Sequence, residues 1–128
     1  MSVIFSVTRR YAFEAAHWLP LVADGHKCKR VHGHNYEIEV TVDAYALRPD
    51  GFIIDFWDLD KIVDPIVERV DHRTLNEIAG LGNPTAELIS KWFFDAIKPH
   101  IIGGALRRVR CFETKNCWAD YIMEGPML

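Results

Sequence analysis

The sequence has few cysteines, no long apolar run and no strong excess of charge. Cys28, Cys111 and Cys117 are odd in number and show no Cys-x-x-Cys spacing, which argues for a reduced protein rather than a disulfide framework. The beginning of the chain shows no secretory apolar region, and we therefore expect a cytoplasmic protein. No apolar stretch approaches the ~20 residues of a membrane-spanning helix. The formal net charge of -3 gives no general reason to expect nucleic acid or an anionic membrane as a partner.

The length of 128 residues allows one domain with a real core and is too short for two. A hydrophobic content of 49% with 26% charged residues is typical of a globular protein. We therefore expect residues 1–128 to form a single domain without an internal linker.

Alternating apolar and polar residues predict a first strand over residues 3–17 and a second over 36–43, with an irregular loop between them. Helical spacing after Asp58, which would be the N-cap, predicts a first helix. Pro65 interrupts that spacing and should kink or split the helix.

A second helix is predicted from about residues 83–85 to 98, where Pro99 stops it. Two further strands, about 106–114 and 117–124, should close the chain as a hairpin. The expected buried stripe of the second helix consists of Leu88, Ile89, Trp92, Phe93 and Ile97.

The order strand, strand, helix, helix, strand, strand predicts an α+β fold, an antiparallel sheet with both helices on one face. The other face carries Glu37, Glu39 and Thr41 and is too polar for a core. Exposed edges of such a sheet are usually protected by another chain or by closure into a barrel. We therefore expect a homo-oligomer.

Three histidines predict a metal site. His32 and His34 flank Gly33, and residues two apart in a strand point to the same face. His17 would come from the neighbouring strand, and we expect Gly33 to leave room for the ion. A His-x-His pair alone is usually a surface pair, but four of the six histidines fall between residues 17 and 34. Catalytic zinc typically has three protein ligands, so we predict a Zn²⁺ site of His17, His32 and His34.

Two further positions could carry proton chemistry. Cys28 lies among basic residues, which with a nearby metal would favour the thiolate and make it a candidate base or nucleophile. It could also be an incidental cysteine of an exposed loop, or a further zinc ligand. Asp71 could orient and charge His72 if the first helix ends there, although such a dipeptide by itself is more often a helix-end cap.

Glu113 shares a strand face with Val109 and Cys111, where an unpaired charge would be costly. A planar ligand with two adjacent N–H donors would match it as a bidentate partner. Glu113 could also be an ordinary strand-end glutamate beside Lys115.

Five segments, in this order, resemble the 6-pyruvoyltetrahydropterin synthase superfamily: residues 13–17, 25–34, 71–72, 83–87 and 112–114. The resemblance spans nearly the whole chain. Within the superfamily, the Cys-x-x-x-His-x-His spacing that begins at Cys28 points to the bacterial branch of queuosine biosynthesis. Residues 115–118 depart from the family pattern.

The resemblance implies the tunnelling fold, in which subunits join their sheets into a barrel, usually a trimer, and two trimers stack as a hexamer with active sites between subunits. It implies zinc-dependent conversion of 7,8-dihydroneopterin triphosphate into 6-carboxy-5,6,7,8-tetrahydropterin, acetaldehyde and triphosphate. No nucleic acid or membrane partner is expected.

The resemblance also implies roles for individual residues. His17, His32 and His34 would bind zinc. Cys28 would be the proton-abstracting base, with Asp71 and His72 as a proton relay. Glu113 would act in catalysis and anchor the N–H groups of the pterin. Thr85 would contact substrate, although it could simply cap the second helix. Our own candidates for triphosphate contacts are Lys27, Lys29 and Arg30.

Other functions fit the same residues. The pyruvoyl-forming enzyme of tetrahydrobiopterin synthesis shares the fold, the zinc and the proton-shuttling residues but releases no acetaldehyde. A catalytically silent, zinc-stabilised binding module would keep the metal and show no effect of Cys28→Ala. A purely structural zinc site normally uses four protein ligands and favours cysteine, so three histidines argue against it.

Overall fold

A five-stranded sheet with strand order β3-β1-β2-β4-β5 carries two helices on one face in this computed structural model, which describes residues 3–127. Residues 1, 2 and 128 of the predicted domain lie outside the described range. The elements are β1 Phe5–His17, β2 His32–Ala44, α1 Phe56–Glu68, β3 Arg73–Thr74, α2 Ala86–Ile97, β4 Ala105–Thr114 and β5 Cys117–Ile122. The predicted α+β fold is confirmed.

The register of β1 on β2 determines which side chains meet at the end of the sheet. The two strands pair antiparallel over their whole length, from Phe5 opposite Ala44 to His17 opposite His32. β2 pairs with β4, and β4 with β5, in the same antiparallel sense. β3 adds a two-residue parallel pairing at the edge of β1.

The core lies between the sheet and the helices because alternate residues of β2 face the helices. Tyr36, Ile38, Val40 and Val42 are fully buried there, together with Ile89, Phe93 and Ile97 of α2. The opposite face is polar, as predicted, and carries ion pairs such as that of Arg10 with Glu39. Within residues 3–127, no helix is long and apolar enough to cross a membrane.

The first helix differs from its prediction at two points. Its N-cap is Asp55, whose Oδ1 accepts the N–H of Trp57 at 2.8 Å, and not Asp58, which lies in the first turn. The predicted split at Pro65 is wrong, since α1 continues through it. Pro65 is exposed, and buried residues on the other side, such as Val63 and Ile66, hold the helix against the core.

Other boundaries shift by a few residues. β1 begins at Phe5 rather than at residue 3, and β5 ends at Ile122 rather than at 124. α2 ends at Ile97, and a 3₁₀ turn over Lys98–His100 contains Pro99. Leu88 is 41% exposed and does not belong to the buried stripe, where Phe94 is found instead. The two residues of β3 are too few to show alternation, so the sequence did not predict this strand.

Candidate metal centre and adjoining clefts

Three histidines converge at the end of β1 and the start of β2. β2 begins at His32, four residues before the predicted start, so His32 and His34 both lie on the strand and share its helix-facing side. The pairing of His17 with His32 brings the third ring beside them. The ring centroids are 4.6 to 5.1 Å apart, and His17 is fully buried.

The backbone fixes the tautomers of two of these rings. His17 Nδ1 lies 2.9 Å from the carbonyl oxygen of Pro84, and His32 Nδ1 lies 2.6 Å from that of Arg30. Because a carbonyl oxygen only accepts, each Nδ1 carries the proton and donates, which leaves a lone pair on each Nε2.

The two Nε2 atoms of His17 and His32 are 3.0 Å apart. Burial lowers the pKa of His17 and so favours its neutral form. Two rings in this tautomer, whose Nε2 lone pairs face each other at this distance, repel unless a cation lies between them. Nδ1 bonds to backbone carbonyls are also the usual way in which metal-binding histidines are oriented.

Glu113, at the end of β4, joins this group. Its Oε1 lies 3.1 Å from His34 Nε2. The contact does not have hydrogen-bond geometry, and His34 Nε2 is buried without a hydrogen-bond partner among the described residues. Burial lowers the pKa of His34, so this ring also favours the neutral form. The ligand atoms of His17, His32, His34 and Glu113 all lie within 4.8 Å of one another. Imidazole nitrogens and a carboxylate oxygen are donors that suit zinc.

A cleft of about 580 Å³ opens beside the histidines; we call it the His72 cleft, and Glu14, Gly33, His34 and His72 are among the residues that line it. Gly33 faces away from the ligand side of β2, and a Cβ there would meet only Ala15 O at 3.5 Å. The expectation that Gly33 makes room for the ion is therefore wrong. Its missing side chain widens the cleft instead.

Asp71 and His72 follow the end of α1 and are in contact. His72 Nδ1 lies 2.9 Å from Asp71 Oδ1, and His72 Nε2 lies 3.4 Å from Glu14 Oε2. The backbone N–H of Glu14 donates to Asp71, which with the neighbouring His72 ring lowers the pKa of the Asp71 carboxyl. His72 has a φ of 56°, a left-handed conformation that L-residues rarely adopt. Its N–H donates to Glu14 O and holds it there.

Cys28 lies in a 3₁₀ turn over Lys27–Lys29 and is half-buried. Its carbonyl accepts the N–H of Leu19 at 2.8 Å, and its own N–H donates to His26 Nδ1 at 3.0 Å. The turn is therefore ordered by local bonds. Cys28 is not part of the group of four donors.

The basic residues around Cys28 differ in availability. Lys29 Nζ donates to Asp24 Oδ1 at 2.6 Å and to Val22 O at 3.1 Å, so its charge is already paired. Lys27 and Arg30 are exposed.

The segment before α2 contributes in a way that the sequence did not reveal. Thr85 caps the helix, since its hydroxyl accepts the N–H of Leu88 at 3.2 Å. The carbonyl of Pro84, by contrast, orients His17. No side-chain pattern could have shown a backbone carbonyl in this role.

Tyr36 is a second feature that sequence reasoning missed. It follows His34 on the same strand face, and its ring lies 5.4 Å from that of His34 and 5.8 Å from that of His17. Its hydroxyl is buried with no hydrogen-bond partner in the described part of the chain. Burial raises the pKa of Tyr36. The alternation that grouped the histidines could have indicated it.

Several known proteins are similar to this chain over most of its length. Residues 6–124 match the family model described as 6-pyruvoyl tetrahydropterin synthase. A putative 6-carboxy-5,6,7,8-tetrahydropterin synthase of Archaeoglobus fulgidus is 38% identical over 110 residues, 85% of this chain and 88% of that protein. Further relatives with that name are 24–36% identical.

Two other similarities bear on function. A dihydroneopterin monophosphate aldolase of Pyrococcus furiosus is 34% identical over 105 residues, 81% of this chain and 85% of that protein. The solved structure of 6-pyruvoyl tetrahydropterin synthase from Caenorhabditis elegans superposes with a TM-score of 0.85 at 25% identity, covering 96% of this chain and 98% of that chain.

Proposed function

The chain belongs to the 6-pyruvoyl tetrahydropterin synthase family, and we propose that it is a zinc-dependent lyase of the cytoplasm. The proposed reaction converts 7,8-dihydroneopterin triphosphate into 6-carboxy-5,6,7,8-tetrahydropterin, acetaldehyde and triphosphate, as a step of queuosine biosynthesis. The observation that carries the proposal is the convergence of three histidines and a carboxylate in a chain whose relative, at 38% identity, bears that enzyme's name.

His17, His32 and His34 would hold the metal. When bound, Zn²⁺ supplies Lewis-acid polarisation of the hydroxyl and carbonyl oxygens of the substrate side chain. The carbonyls of Pro84 and Arg30 keep two of the imidazoles in the tautomer that leaves Nε2 free to coordinate.

Proton transfer would be the task of Cys28, Asp71 and His72. Cys28, in the turn over Lys27–Lys29 and outside the lining of the His72 cleft, would act as the base that abstracts a proton from the substrate side chain. His72 would carry protons, with Asp71 holding the ring by the 2.9 Å contact. The carboxylate and acetaldehyde together contain three oxygen atoms. The two side-chain hydroxyls of the substrate supply two of them, and a water molecule supplies the third.

Different residues would bind the pterin and the triphosphate of the substrate. Glu113 would accept two N–H groups of the pterin, and Lys27 would contact the triphosphate. The Thr85 hydroxyl accepts from the backbone but retains its own O–H as a donor, so we propose it as a further substrate contact.

We also propose a homo-oligomer, a hexamer built as a dimer of trimers. The sheet ends in two open edges, the short β3 and the strand β5, where Trp118 and Ile122 are about half exposed. Open edges with apolar side chains are normally covered by another chain. Light scattering at several protein concentrations tests this proposal, and a stable monomer would contradict it.

The second candidate is an aldolase that acts on a dihydroneopterin phosphate, because one relative at 34% identity has such a name. Aldol cleavage leaves the phosphate on the released aldehyde, whereas the synthase reaction releases free triphosphate. The third is the pyruvoyl-forming synthase, which the neighbour from Caenorhabditis elegans represents.

Product analysis by mass spectrometry, with a trap for aldehydes, separates these candidates. Zinc-loaded protein is incubated with 7,8-dihydroneopterin triphosphate and, separately, with the monophosphate. Carboxytetrahydropterin with acetaldehyde is expected from the triphosphate. A phosphorylated aldehyde would identify the aldolase, a pyruvoyl product the other synthase, and unchanged substrate with metal bound would indicate a binding module.

His72→Ala should lower turnover strongly in the same assay while metal content stays constant. His100→Ala is the matched control, because His100 is an exposed histidine after α2 and outside the His72 cleft. Equal turnover in both variants would exclude His72 from the reaction.

A further inference from the structure

Glu113 belongs to two sets of residues at once. One is the group of four donor atoms with His17, His32 and His34. The other lines a cleft of about 320 Å³, the Glu113 cleft, formed mainly by Glu87, Glu113, Cys117 and Trp118. A carboxylate that accepts N–H groups of a ligand in that cleft cannot give the same oxygens to a metal.

The four donors approach the geometry of one coordination sphere. Bond lengths of 2.0–2.2 Å in a tetrahedral zinc site place neighbouring donor atoms about 3.3–3.6 Å apart. The His17–His32 nitrogen pair is 3.0 Å apart, and the His34–Glu113 pair is 3.1 Å apart. Both pairs therefore have close to the separation of two ligands of one ion.

An ordinary hydrogen-bonded ion pair does not explain the contact between His34 and Glu113. Its geometry is not that of a hydrogen bond, and His34 Nε2 has no partner within residues 3–127. A carboxylate oxygen and an imidazole nitrogen therefore lie 3.1 Å apart without a hydrogen bond between them, as they would around a shared cation.

A site with four protein ligands is closed, and closed zinc sites are structural, whereas catalytic sites keep one position open. The proposed lyase therefore needs one of the four donors to leave. The three histidines are held on paired strands, two of them by backbone carbonyls. Glu113 lies at the last-but-one position of β4, where the pairing with β5 is irregular, and its side chain is 27% exposed. It is the donor that can leave.

We propose that Glu113 is the fourth metal ligand while the site is free of substrate, and that it moves to the pterin when the Glu113 cleft fills. This inference rests on the proposed function. The step is a ligand exchange without redox change: the carboxylate oxygen leaves the metal, and a water or substrate oxygen takes its position. Substrate binding thereby opens the site, and the metal meets no free water before the substrate has arrived.

Cobalt substitution tests the exchange without measuring turnover. Co²⁺ replaces zinc in such sites, and its visible d–d spectrum responds to the identity of each ligand. A metal-bound water in a site of this kind ionises near neutral pH, so a site that contains water changes its spectrum across that range. The wild-type spectrum should be independent of pH there, because the carboxylate occupies the fourth position.

Glu113→Gln should bind Co²⁺ with at least a tenfold lower affinity, since changes in even the outer partners of metal ligands cost 10–100-fold. Its spectrum should change across neutral pH as its metal-bound water ionises. Glu87→Gln is the matched control: it removes a carboxylate from the same cleft but outside the group of four donors, and should keep the wild-type spectrum and affinity.

The oxidised pterin neopterin provides a second measurement on the unaltered protein. When neopterin is added to the cobalt form, the pH-independent spectrum should change to that of a site in which Glu113 is no longer a ligand. A wild-type spectrum identical to that of Glu113→Gln would refute Glu113 as a ligand while leaving the proposed lyase intact. A spectrum that neopterin does not change would make Glu113 a permanent ligand and refute the exchange. Failure of the wild type to bind Co²⁺ or Zn²⁺ would instead refute the proposed function itself.

Discussion

The substitution Arg107→Met is expected to destabilise the protein severely although it lies far along the sheet from the histidines. Arg107 Nε donates to Asp43 Oδ2 at 2.8 Å, and the two side chains are 19% and 4% exposed. The other carboxylate oxygen, Asp43 Oδ1, is buried and has no hydrogen-bond partner in the described structure. Loss of the guanidinium would leave a buried, uncompensated charge.

The magnitude follows from this burial. Removing one partner of a buried ion pair costs about 3–5 kcal/mol, because the remaining charge loses its compensation. Arg107 also donates to the carbonyls of Met123 and Gly125, so the segment after β5 loses two of its hydrogen bonds to the sheet. The free energy of unfolding of small domains is only about 5–15 kcal/mol. The variant should therefore be close to the limit of stability.

Urea unfolding of the metal-free protein, followed by circular dichroism, measures the effect. Arg9→Met is the matched control: Arg9 pairs with Asp60 at 3.1 Å, but its side chain is 49% exposed, and solvent screens such pairs. Adding Asp43→Asn to Arg107→Met removes the stranded charge and should restore much of the loss. Equally small losses of stability in Arg107→Met and Arg9→Met would refute the contribution expected of the buried ion pair.

Three further predictions follow from particular contacts. Cys28→Ala should leave the protein folded and metal-binding but without turnover, as measured by product analysis and metal content; residual turnover near the wild-type rate would exclude it as the base. Gly104→Ala should cost about 1–3 kcal/mol, because its Cβ would lie 2.9 Å from a side-chain carbon of Ile53, whereas Gly82→Ala meets open space and should keep its melting temperature. The pKa of Asp71 is lowered in the folded protein. The contribution of its carboxylate to the free energy of unfolding is therefore complete above pH 3.8, the ordinary pKa, and is lost as the pH falls through the lower folded-state pKa. In a series of urea titrations at different pH, Asp71→Asn should flatten the change of stability over this acidic range.

The metal half of the site was predictable because strand alternation is a local rule. His32 and His34 share a face wherever that stretch is extended, and β2 does begin at His32. The α+β order followed from hydrophobic spacing in the same way. The errors in α1 arose where two local signals competed. Asp55 and Asp58 are both acceptable caps, and the packing of Val63 and Ile66 outweighed the helix-breaking tendency of Pro65.

The remaining features of the site depend on contacts that no local rule contains. The carbonyl of Pro84 contacts His17 across 67 residues of sequence, and the N–H of Glu14 contacts Asp71 across 57 residues. Glu113 was expected at a pterin, and its position next to His34 depends on how β4 aligns with β2. Such placements follow from the register and from the packing of loops, which the sequence pattern alone does not determine.

The site is divided between two kinds of backbone, and the division matches the chemistry proposed for each half. The histidines lie on long paired strands, where a slip of one residue would turn His32 and His34 to the opposite face, so their geometry is as stable as the sheet. Cys28 and His72 lie on a 3₁₀ turn and on a residue with a φ of 56°. Groups that carry protons must approach and leave a substrate, whereas a metal must be held in a fixed position. Glu113 lies where the pairing of β4 with β5 is irregular. Its position is thus intermediate between the two halves, as expected of a donor that first holds the metal and then releases it.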